Sequence, residues 1–252
     1  MSIVKPNSVC GDRLDKVLVA RGLMKSRQMA QAFIMEGKVW VDGQRVDKTG
    51  ARIAADAKVV INGEESPYVS RGGLKLEKAL DCWTIDVTGK NFLDVGASTG
   101  GFTDCLLQRG AARIYAVDVG YGQLAWRIRS DERVVSLERS NIRYLSKETF
   151  QDELDGAVID VSFISLKKVI PRVVELIKIG GDIIALIKPQ FEVGRGNIGK
   201  GGVVRDAKKH QEVIEDISSF AVNRDLQVVG VLESPLLGPK GNKEFFIYLR
   251  AQ

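Results

Sequence analysis

Apolar residues in most of the chain alternate between short unbroken runs and segments in which they recur every three or four residues. The runs predict strands at 92–95, 114–118, 134–137, 157–160, 183–187, 226–232 and 245–249. The helical spacing predicts a helix around Leu76 and further helices at 102–108, 166–177 and 206–222. This alternation indicates an α/β domain with an open parallel sheet, in which ligands bind at the carboxyl ends of the strands. The last two strands are expected to form a hairpin.

The first 63 residues predict a separate, small α+β domain. Its two predicted helices are apolar on one face, through Leu14, Val17, Leu18, Ala30, Phe33 and Ile34. Ser26 is the expected N-cap of the second helix, and Asp42-Gly43 is a hairpin signal. The strands are predicted at 39–41, 44–46 and 58–61. A linker at 64–70 breaks the periodicity, so we place domains at 1–63 and 71–252.

The excess positive charge lies in this first domain. Residues 1–63 contain 11 Lys and Arg against 6 Asp and Glu, whereas the remainder has 26 of each. A basic domain attached to a neutral one predicts contact with a polyanion, because nucleic acids are bound largely through their phosphates. The candidate contacts are Arg13, Lys16, Arg21, Lys25, Ser26, Arg27, Lys38 and Arg45. Trp40 alternates with Val39 and Val41 and therefore faces away from them. Its role, in the core or at the nucleic acid, is left open by this pattern.

Composition excludes several other classes of protein. With 44% apolar residues the chain can build cores, but no apolar run approaches the roughly 20 residues that cross a bilayer. The first residues lack the apolar core of a secretion signal, so we expect a cytoplasmic protein with no membrane contact. Three cysteines without a C-x-x-C pair indicate neither a disulfide framework nor a metal site. Nothing in the sequence indicates an obligate protein partner, and oligomeric state is open.

The segment 91–102, N-F-L-D-V-G-A-S-T-G-G-F, predicts a strand, a tight loop and a helix, the usual edge of a nucleotide site. The sequence does not match a Walker loop, because Gly101 is followed by Phe102 instead of Lys. The dinucleotide fingerprint also fails, because Ser98 takes the place of a glycine. Asp118 ends the next strand, where a carboxylate can bind a ribose diol.

The pattern D-V-G-A-S-x-G-G-F resembles the S-adenosylmethionine (SAM) site of FtsJ-like ribose 2′-O-methyltransferases, and the whole chain resembles the TlyA, or haemolysin A, family of ribosomal RNA methyltransferases. The resemblance implies a seven-stranded Rossmann-like methyltransferase domain whose last strand is antiparallel. It implies cofactor contacts from Asp94, Gly96, Ala97, Ser98, Thr99, Gly100, Phe102, Asp118 and Asn141. Asp94 is expected to order the loop through backbone N–H groups more than to touch SAM. Thr99 stands where many FtsJ-like proteins have proline.

Four charged residues match the catalytic tetrad of these families: Lys75, Asp160, Lys188 and Glu244. Lys75 lies on the first predicted helix of this domain, and the other three lie at predicted strand ends. A ribose hydroxyl is a poor nucleophile, so methyl transfer benefits from an adjacent base and in-line alignment. Lys188 is expected to accept or steer the 2′-hydroxyl proton, with Asp160 orienting it. Lys75, with Glu244, is expected to set the position of Lys188 and to supply a neighbouring cation that lowers its pKa. The glycine-rich stretch 190–202 predicts a mobile loop or lid.

The pieces R-L-D-K-x-L, S-R and G-x-V-x-V-D-G in residues 1–63 resemble the RNA-binding domain named after small-subunit ribosomal protein four. Folded-RNA recognition through phosphates suits such a surface better than single-strand stacking. The family resemblance implies cytidine 2′-O-methylation in ribosomal RNA, alone or within ribosomal subunits. No residue of the sequence indicates which base is read.

The sequence argues against several rival activities. Enzymes that methylate amino groups usually have N-P-P-Y where this chain has D-V-S-F at 160–163. Methylation of a base carbon needs a cysteine nucleophile at a strand end, and none of the three cysteines is predicted there. His210, expected to be exposed, is no catalytic candidate. Membrane lysis, which the older family name implies, lacks a membrane-inserting segment. A non-catalytic RNA-binding protein remains the alternative, against which the complete tetrad argues.

Overall fold

The computed structural model describes residues 11–35, 37–61, 67–194, 199 and 201–252. The chain forms two compact units, Met1–Val69 and Ser70–Gln252. Residues 64–66 of the predicted linker lie outside the described residues, as do Arg195 and Lys200 of the predicted glycine-rich loop.

The first unit is a small α+β fold. Its elements are β1 (Asp12–Arg13), α1 (Leu14–Ala20), α2 (Arg27–Met35), β2 (Val39–Val41), β3 (Gln44–Val46), β4 (Arg52–Ile53) and β5 (Val59–Ile61). Strands β3, β2 and β5 form one antiparallel sheet, and β1 pairs with β4 in a separate ribbon. The two short strands of this ribbon were not predicted, because two residues are too few to show a period.

Local sequence signals explain the form of this unit. Leu14 and Leu18 lie one helical turn apart and are completely buried. Ser26 caps α2 by accepting a hydrogen bond at Oγ from Met29 N–H (3.2 Å). Asp42 and Gly43 both have positive φ (49° and 78°), the conformation of a two-residue hairpin turn.

The second unit is a seven-stranded sheet with helices. Its strands are β6 (Asn91–Val95), β7 (Arg113–Val117), β8 (Val134–Leu137), β9 (Leu154–Ile159), β10 (Ile177–Ile187), β11 (Leu226–Glu233) and β12 (Phe245–Ala251). Its helices are α3 (Gly72–Cys82), α4 (Gly101–Gln108), α5 (Trp126–Arg129), α6 (Ile170–Leu176), α7 (Pro189–Glu192) and α8 (Ala207–Val222). The strand order is β11-β12-β10-β9-β6-β7-β8.

The topology of this sheet agrees with the sequence-based prediction. Strands β10, β9, β6, β7 and β8 are parallel to one another. Strand β12 runs antiparallel to β10 and pairs with β11 as a terminal hairpin. The predicted α/β fold with an antiparallel last strand is therefore confirmed. The carboxyl ends of the parallel strands and the start of β12 lie at the same edge of the sheet.

Three local predictions were wrong. Strand β10 begins at Ile177, six residues before the predicted start, because its exposed first part lacks a continuous apolar run. The predicted helix 166–177 is broken into a 3-10 turn, Leu166–Lys168, and α6, since Pro171 starts a new helix. The predicted loop after Lys188 begins instead with helix α7. Within the described residues, no helix has the length and apolar character needed to span a membrane.

Candidate active site

The loop between β6 and α4 is shaped by two glycines with positive φ, Gly96 (87°) and Gly100 (92°). A Cβ on Gly96 would lie 2.5 Å from the backbone oxygen of Asp160, and a Cβ on Gly100 would lie 2.9 Å from Leu124 Cδ1. Both glycines are therefore required by conformation and by space. Ser98 between them is exposed and also has positive φ (48°). The loop thus presents backbone at the surface next to Asp160.

Asp118 ties this loop to the end of β7. Its Oδ2 accepts a hydrogen bond from Ser98 N–H (2.8 Å), and its Oδ1 accepts one from Gly120 N–H (2.7 Å). The carboxylate is only half-buried. It therefore orders the loop while remaining open to a ligand with hydroxyl donors.

Asp94 lies beneath the loop and is completely buried. Its Oδ2 accepts a hydrogen bond from Thr103 Oγ1 (2.6 Å), and Oδ1 has no partner among the described residues. Burial raises the pKa of this carboxyl to about 7. Asp94 therefore bonds Thr103 at the start of α4, the helix that follows the loop.

The other predicted cofactor residues have different surroundings. Phe102 is buried and its ring stacks on Phe246 with centroids 6.1 Å apart. Ala97 is buried, and Thr99 is half-buried. Asn141 caps a 3-10 turn, since its Oδ1 accepts from Arg143 N–H (3.2 Å). Phe102 therefore serves the core, while Thr99 and Asn141 remain accessible.

The predicted catalytic residues form two ion pairs. Lys75 Nζ lies 2.6 Å from Glu244 Oε2, across 169 residues of sequence, and both side chains are buried. Lys188 Nζ lies 2.6 Å from Asp160 Oδ1. Lys188 also donates a hydrogen bond to Ser162 Oγ (2.9 Å). Each ammonium group is thus held by a carboxylate.

Strand register places the two pairs on one edge of the sheet. Ile187 of β10 is opposite Phe245 of β12, so the next residues, Lys188 and Glu244, face each other across the two strands. Asp160 directly follows β9, which is hydrogen-bonded to β10. The same Asp160 lies against Gly96 of the loop. The tetrad and the loop therefore adjoin.

This arrangement bears on one expectation from the sequence. Lys75, together with Glu244, was expected to set the position of Lys188 and to supply a neighbouring cation, and Glu244 Oε2 lies 2.6 Å from Lys75 Nζ, so that cation is paired. The four charges sum to zero, two positive and two negative. The Lys75–Glu244 pair therefore presents no net charge to Lys188.

Unsatisfied polar atoms gather at the same edge. Among the described residues, the buried side-chain oxygens without a hydrogen-bond partner include Asp94 Oδ1, Gln190 Oε1 and Glu244 Oε1, while Asp160 Oδ1 is met by the Lys188 ammonium group at 2.6 Å. Asp94 lies in β6, Asp160 directly follows β9, Gln190 lies in α7 after β10, and Glu244 directly precedes β12. Buried acceptors without donors are rare in folded proteins, so their concentration marks a binding site.

The sequence analysis missed three residues of this edge. Phe163, three residues after Asp160, is 89% exposed and has positive φ (64°), an uncommon state for a bulky side chain. Its ring centroid is 5.0 Å from that of Phe191. Gln190 is buried near Lys188. All three lie in the motifs D-V-S-F and K-P-Q-F, but a periodic pattern carries no information on how residues beyond a strand end are oriented.

His210 differs from its predicted exposure. Its ring is buried, with Nε2 2.8 Å from Val204 O and the ring centroid 5.5 Å from that of Phe245. The surrounding lysines suggested an exposed helix start, but the helix turns this position inward. His210 is a structural residue.

The predicted RNA contacts of the first unit fall into two groups. Lys16, Lys25, Ser26 and Arg45 are exposed, and Lys38 lies over the ring of Phe33 (4.8 Å). Arg21 and Arg27 are exposed as well and Arg13 is half-buried, and the guanidinium groups of all three also make hydrogen bonds within the unit.

Asp15 is the centre of one cluster of these hydrogen bonds. It is completely buried and accepts hydrogen bonds from Arg13 Nε (3.0 Å), Arg27 Nε (2.8 Å) and Gln31 Nε2 (2.8 Å). The bond from Arg13, with those from Gln31 and Arg27, holds the pKa of this carboxyl well below its usual range despite the burial. Arg21 instead donates to backbone oxygens of residues 57 (2.7 Å) and 55 (2.6 Å).

Comparison with known proteins assigns the chain to a family. Residues 68–251 match the FtsJ-like methyltransferase family model, and residues 12–59 match the S4 domain. A solved Streptococcus thermophilus protein named for a hemolysin has TM-score 0.77 and 43% identity, over 97% of this chain and 90% of that one. The chain therefore belongs to the FtsJ-like methyltransferases that carry an N-terminal S4 domain.

Curated relatives narrow the family further. The 16S/23S rRNA (cytidine-2′-O)-methyltransferase TlyA of Mycobacterium tuberculosis is 47% identical, over 95% of this chain and 90% of that protein. Hemolysin A of Brachyspira hyodysenteriae is 40% identical, over 94% of this chain and 98% of that protein. Within the FtsJ-like class, the protein is a member of the TlyA family.

Proposed function

We propose that the protein is a SAM-dependent ribose 2′-O-methyltransferase that acts on ribosomal RNA, at a cytidine. The observation that carries this proposal is the meeting of Lys75–Glu244 and Lys188–Asp160 at one sheet edge, against the Gly96 loop. The name of the Mycobacterium tuberculosis relative supports the same reaction and the choice of cytidine. The proposal includes a cytoplasmic location, where ribosomal RNA and subunits are available as substrates.

The residues present fit the cofactor. A glycine loop that leaves backbone exposed, a half-buried carboxylate at Asp118 and the unpaired acceptors beside them suit a cationic adenosyl ligand. Gly96, Ser98 and Gly100 would surround its methionine part, Asp118 its ribose, and Asn141 lies on the side expected for adenine. SAM, when bound, supplies an electrophilic methyl group on a sulfonium centre.

The tetrad provides what a ribose nucleophile needs. Lys188 is held by Asp160 and by Ser162 Oγ (2.9 Å), so its nitrogen has one position from which to accept or steer the 2′-hydroxyl proton. The ion pair between Lys75 and Glu244 holds the start of strand β12, which lies beside Lys188. Orientation of this kind accounts for a large part of the rate in transfer reactions.

RNA contacts are expected from both units. In the first unit, Lys16, Lys25 and Arg45 are exposed cations suited to phosphates. In the second, exposed Phe163 stands three residues from Asp160 and offers a ring for stacking against an unpaired base. The domain limits 1–63 and 71–252 are part of this proposal.

The test is to incubate the protein with methyl-labelled SAM and, in parallel, free rRNA, small subunits and large subunits. We expect label in ribosomal RNA at a cytidine 2′-oxygen, mapped by nuclease resistance and mass spectrometry. Tight RNA binding without transfer on every substrate would favour the non-catalytic alternative. Label on a base, or on protein, would contradict the proposal.

A further inference from the structure

Gly238 lies against the carboxylate of Glu244, where the chain returns towards β12. A Cβ built on Gly238 would overlap Glu244 Oε1 and would lie 3.1 Å from Oε2. The backbone of Gly238 has φ −72° and ψ −175°, an extended conformation that any L-residue adopts. Conformation therefore does not require glycine here. The space occupied by the carboxylate does.

The residues 238–242 fold into a tight turn over Glu244. Gly238 N–H donates to Asn242 O (2.8 Å), and Gly241 N–H donates to Gly238 O (3.1 Å). On the other side, Ser234 N–H donates to Glu244 O (2.9 Å). Glu244 is only 1% exposed, and its Oε1 has no hydrogen-bond partner among the described residues. The turn thus keeps water from the carboxylate that holds Lys75.

Asn242 anchors this turn with a buried amide. Its Nδ2 donates to Gly202 O and to Pro239 O, both at 3.1 Å, and its Oδ1 accepts from Val204 N–H (3.1 Å). One side chain therefore fastens the turn to a separate segment of the unit. That segment is itself held by His210, whose Nε2 is 2.8 Å from Val204 O.

We propose that Gly238 and Asn242 are positioning residues of the methyl-transfer site, which act through Glu244. A buried carboxylate packed against Gly238 holds Lys75 in an ion pair, and register sets Glu244 opposite Lys188. Displacement of Glu244 shifts Lys75 and the charge that faces Lys188. This inference rests on the proposed function and adds two residues to it.

The steric part is tested by a double-mutant cycle on thermal unfolding of the full chain. Gly238→Ala should lower Tm by several degrees in the wild-type background, and by less than a third of that in the Glu244→Ala background, where the obstructing carboxylate is gone. Gly238→Ala combined with Glu244→Asp, which shortens the side chain, should recover part of the loss. Gly50→Ala is the matched control, because its Cβ would meet its nearest neighbour at an ordinary 3.7 Å. Equal losses in both backgrounds would overturn the inference.

The catalytic part is tested by kinetics with SAM and the RNA substrate identified for the wild-type enzyme. Gly238→Ala and Asn242→Ala should each lower kcat at least tenfold and move the pH–rate profile, with the Kd for SAM and the KM for RNA within twofold of wild type. A purely structural role would lower the active fraction without moving the pH profile. Unchanged kcat and profile in folded variants would refute the proposal. A wild-type enzyme that methylates no RNA would instead refute the proposed function, while the unfolding cycle still decides the geometry.

Discussion

Asp15 in the first unit and Glu244 in the second are both buried carboxylates, yet their surroundings differ. Among the described residues, Asp15 accepts four side-chain hydrogen bonds, two of them from Arg13. Glu244 accepts one, from Lys75, and its second oxygen is unpaired. A saturated carboxylate holds elements together, whereas an unsaturated one retains capacity for a further donor. Hydrogen-bond saturation therefore separates the structural carboxylate from the one at the candidate active site.

The largest effect is expected at Lys188. Lys188→Met removes the group placed to take or steer the hydroxyl proton, so kcat should fall about 10²–10⁴-fold while SAM binding by calorimetry is retained. Lys167→Met is the matched control, because Lys167 also forms an ion pair, with Asp216 at 2.6 Å, and is not a member of the tetrad. Full turnover by a folded Lys188→Met enzyme would show that Lys188 has no catalytic role.

Next in size is the stability of the Lys75–Glu244 pair. Lys75→Met leaves Glu244 buried without its partner and should cost about 3–5 kcal/mol in urea unfolding. The double variant Lys75→Met/Glu244→Leu removes both charges and should regain most of that stability but no activity. A double variant as unstable as the single one would mean that the loss arises from packing and not from the unpaired charge.

Asp94 should make the free energy of unfolding fall as the pH rises towards 7. Its folded pKa is raised to about 7, so between pH 4 and 7 the folded state binds more protons than the unfolded state, and stability falls as pH rises through that range. The full effect is at most about 4 kcal/mol, since each pKa unit corresponds to roughly 1.4 kcal/mol. Asp94→Asn should flatten this part of the curve of unfolding free energy against pH. Superimposable curves for the two proteins would contradict the assignment.

Asp15 should show the opposite sign and a smaller effect. Its folded pKa is lowered, so its contribution is present above its unfolded pKa and is lost as the pH falls below about 4. Asp15→Asn should cost about 1–3 kcal/mol at neutral pH and remove this acid-side loss. At saturating RNA, kcat should stay near wild type. A large fall in kcat would place Asp15 in catalysis and would break the comparison with Glu244.

Local patterns were enough to predict most elements and the candidate cofactor loop. The terminal hairpin, the turn at Asp42-Gly43 and the Ser26 cap each depend on residues close together in sequence, so short-range chemistry specifies them. Failures occurred where local and tertiary preferences diverge. His210 lies among lysines, yet packs inward against Phe245.

The sequence by itself determined the periodicity, the turns, the glycine loop and the list of charged residues at strand ends. Only the tertiary structure decided which charges pair. Lys75 meets Glu244 across 169 residues because strand β12 enters the sheet beside β10 in one register. A shift of one residue in that register would turn Glu244 to the opposite face of the sheet. Pairing, burial and the space left at Gly238 follow from register and packing, which no local pattern encodes.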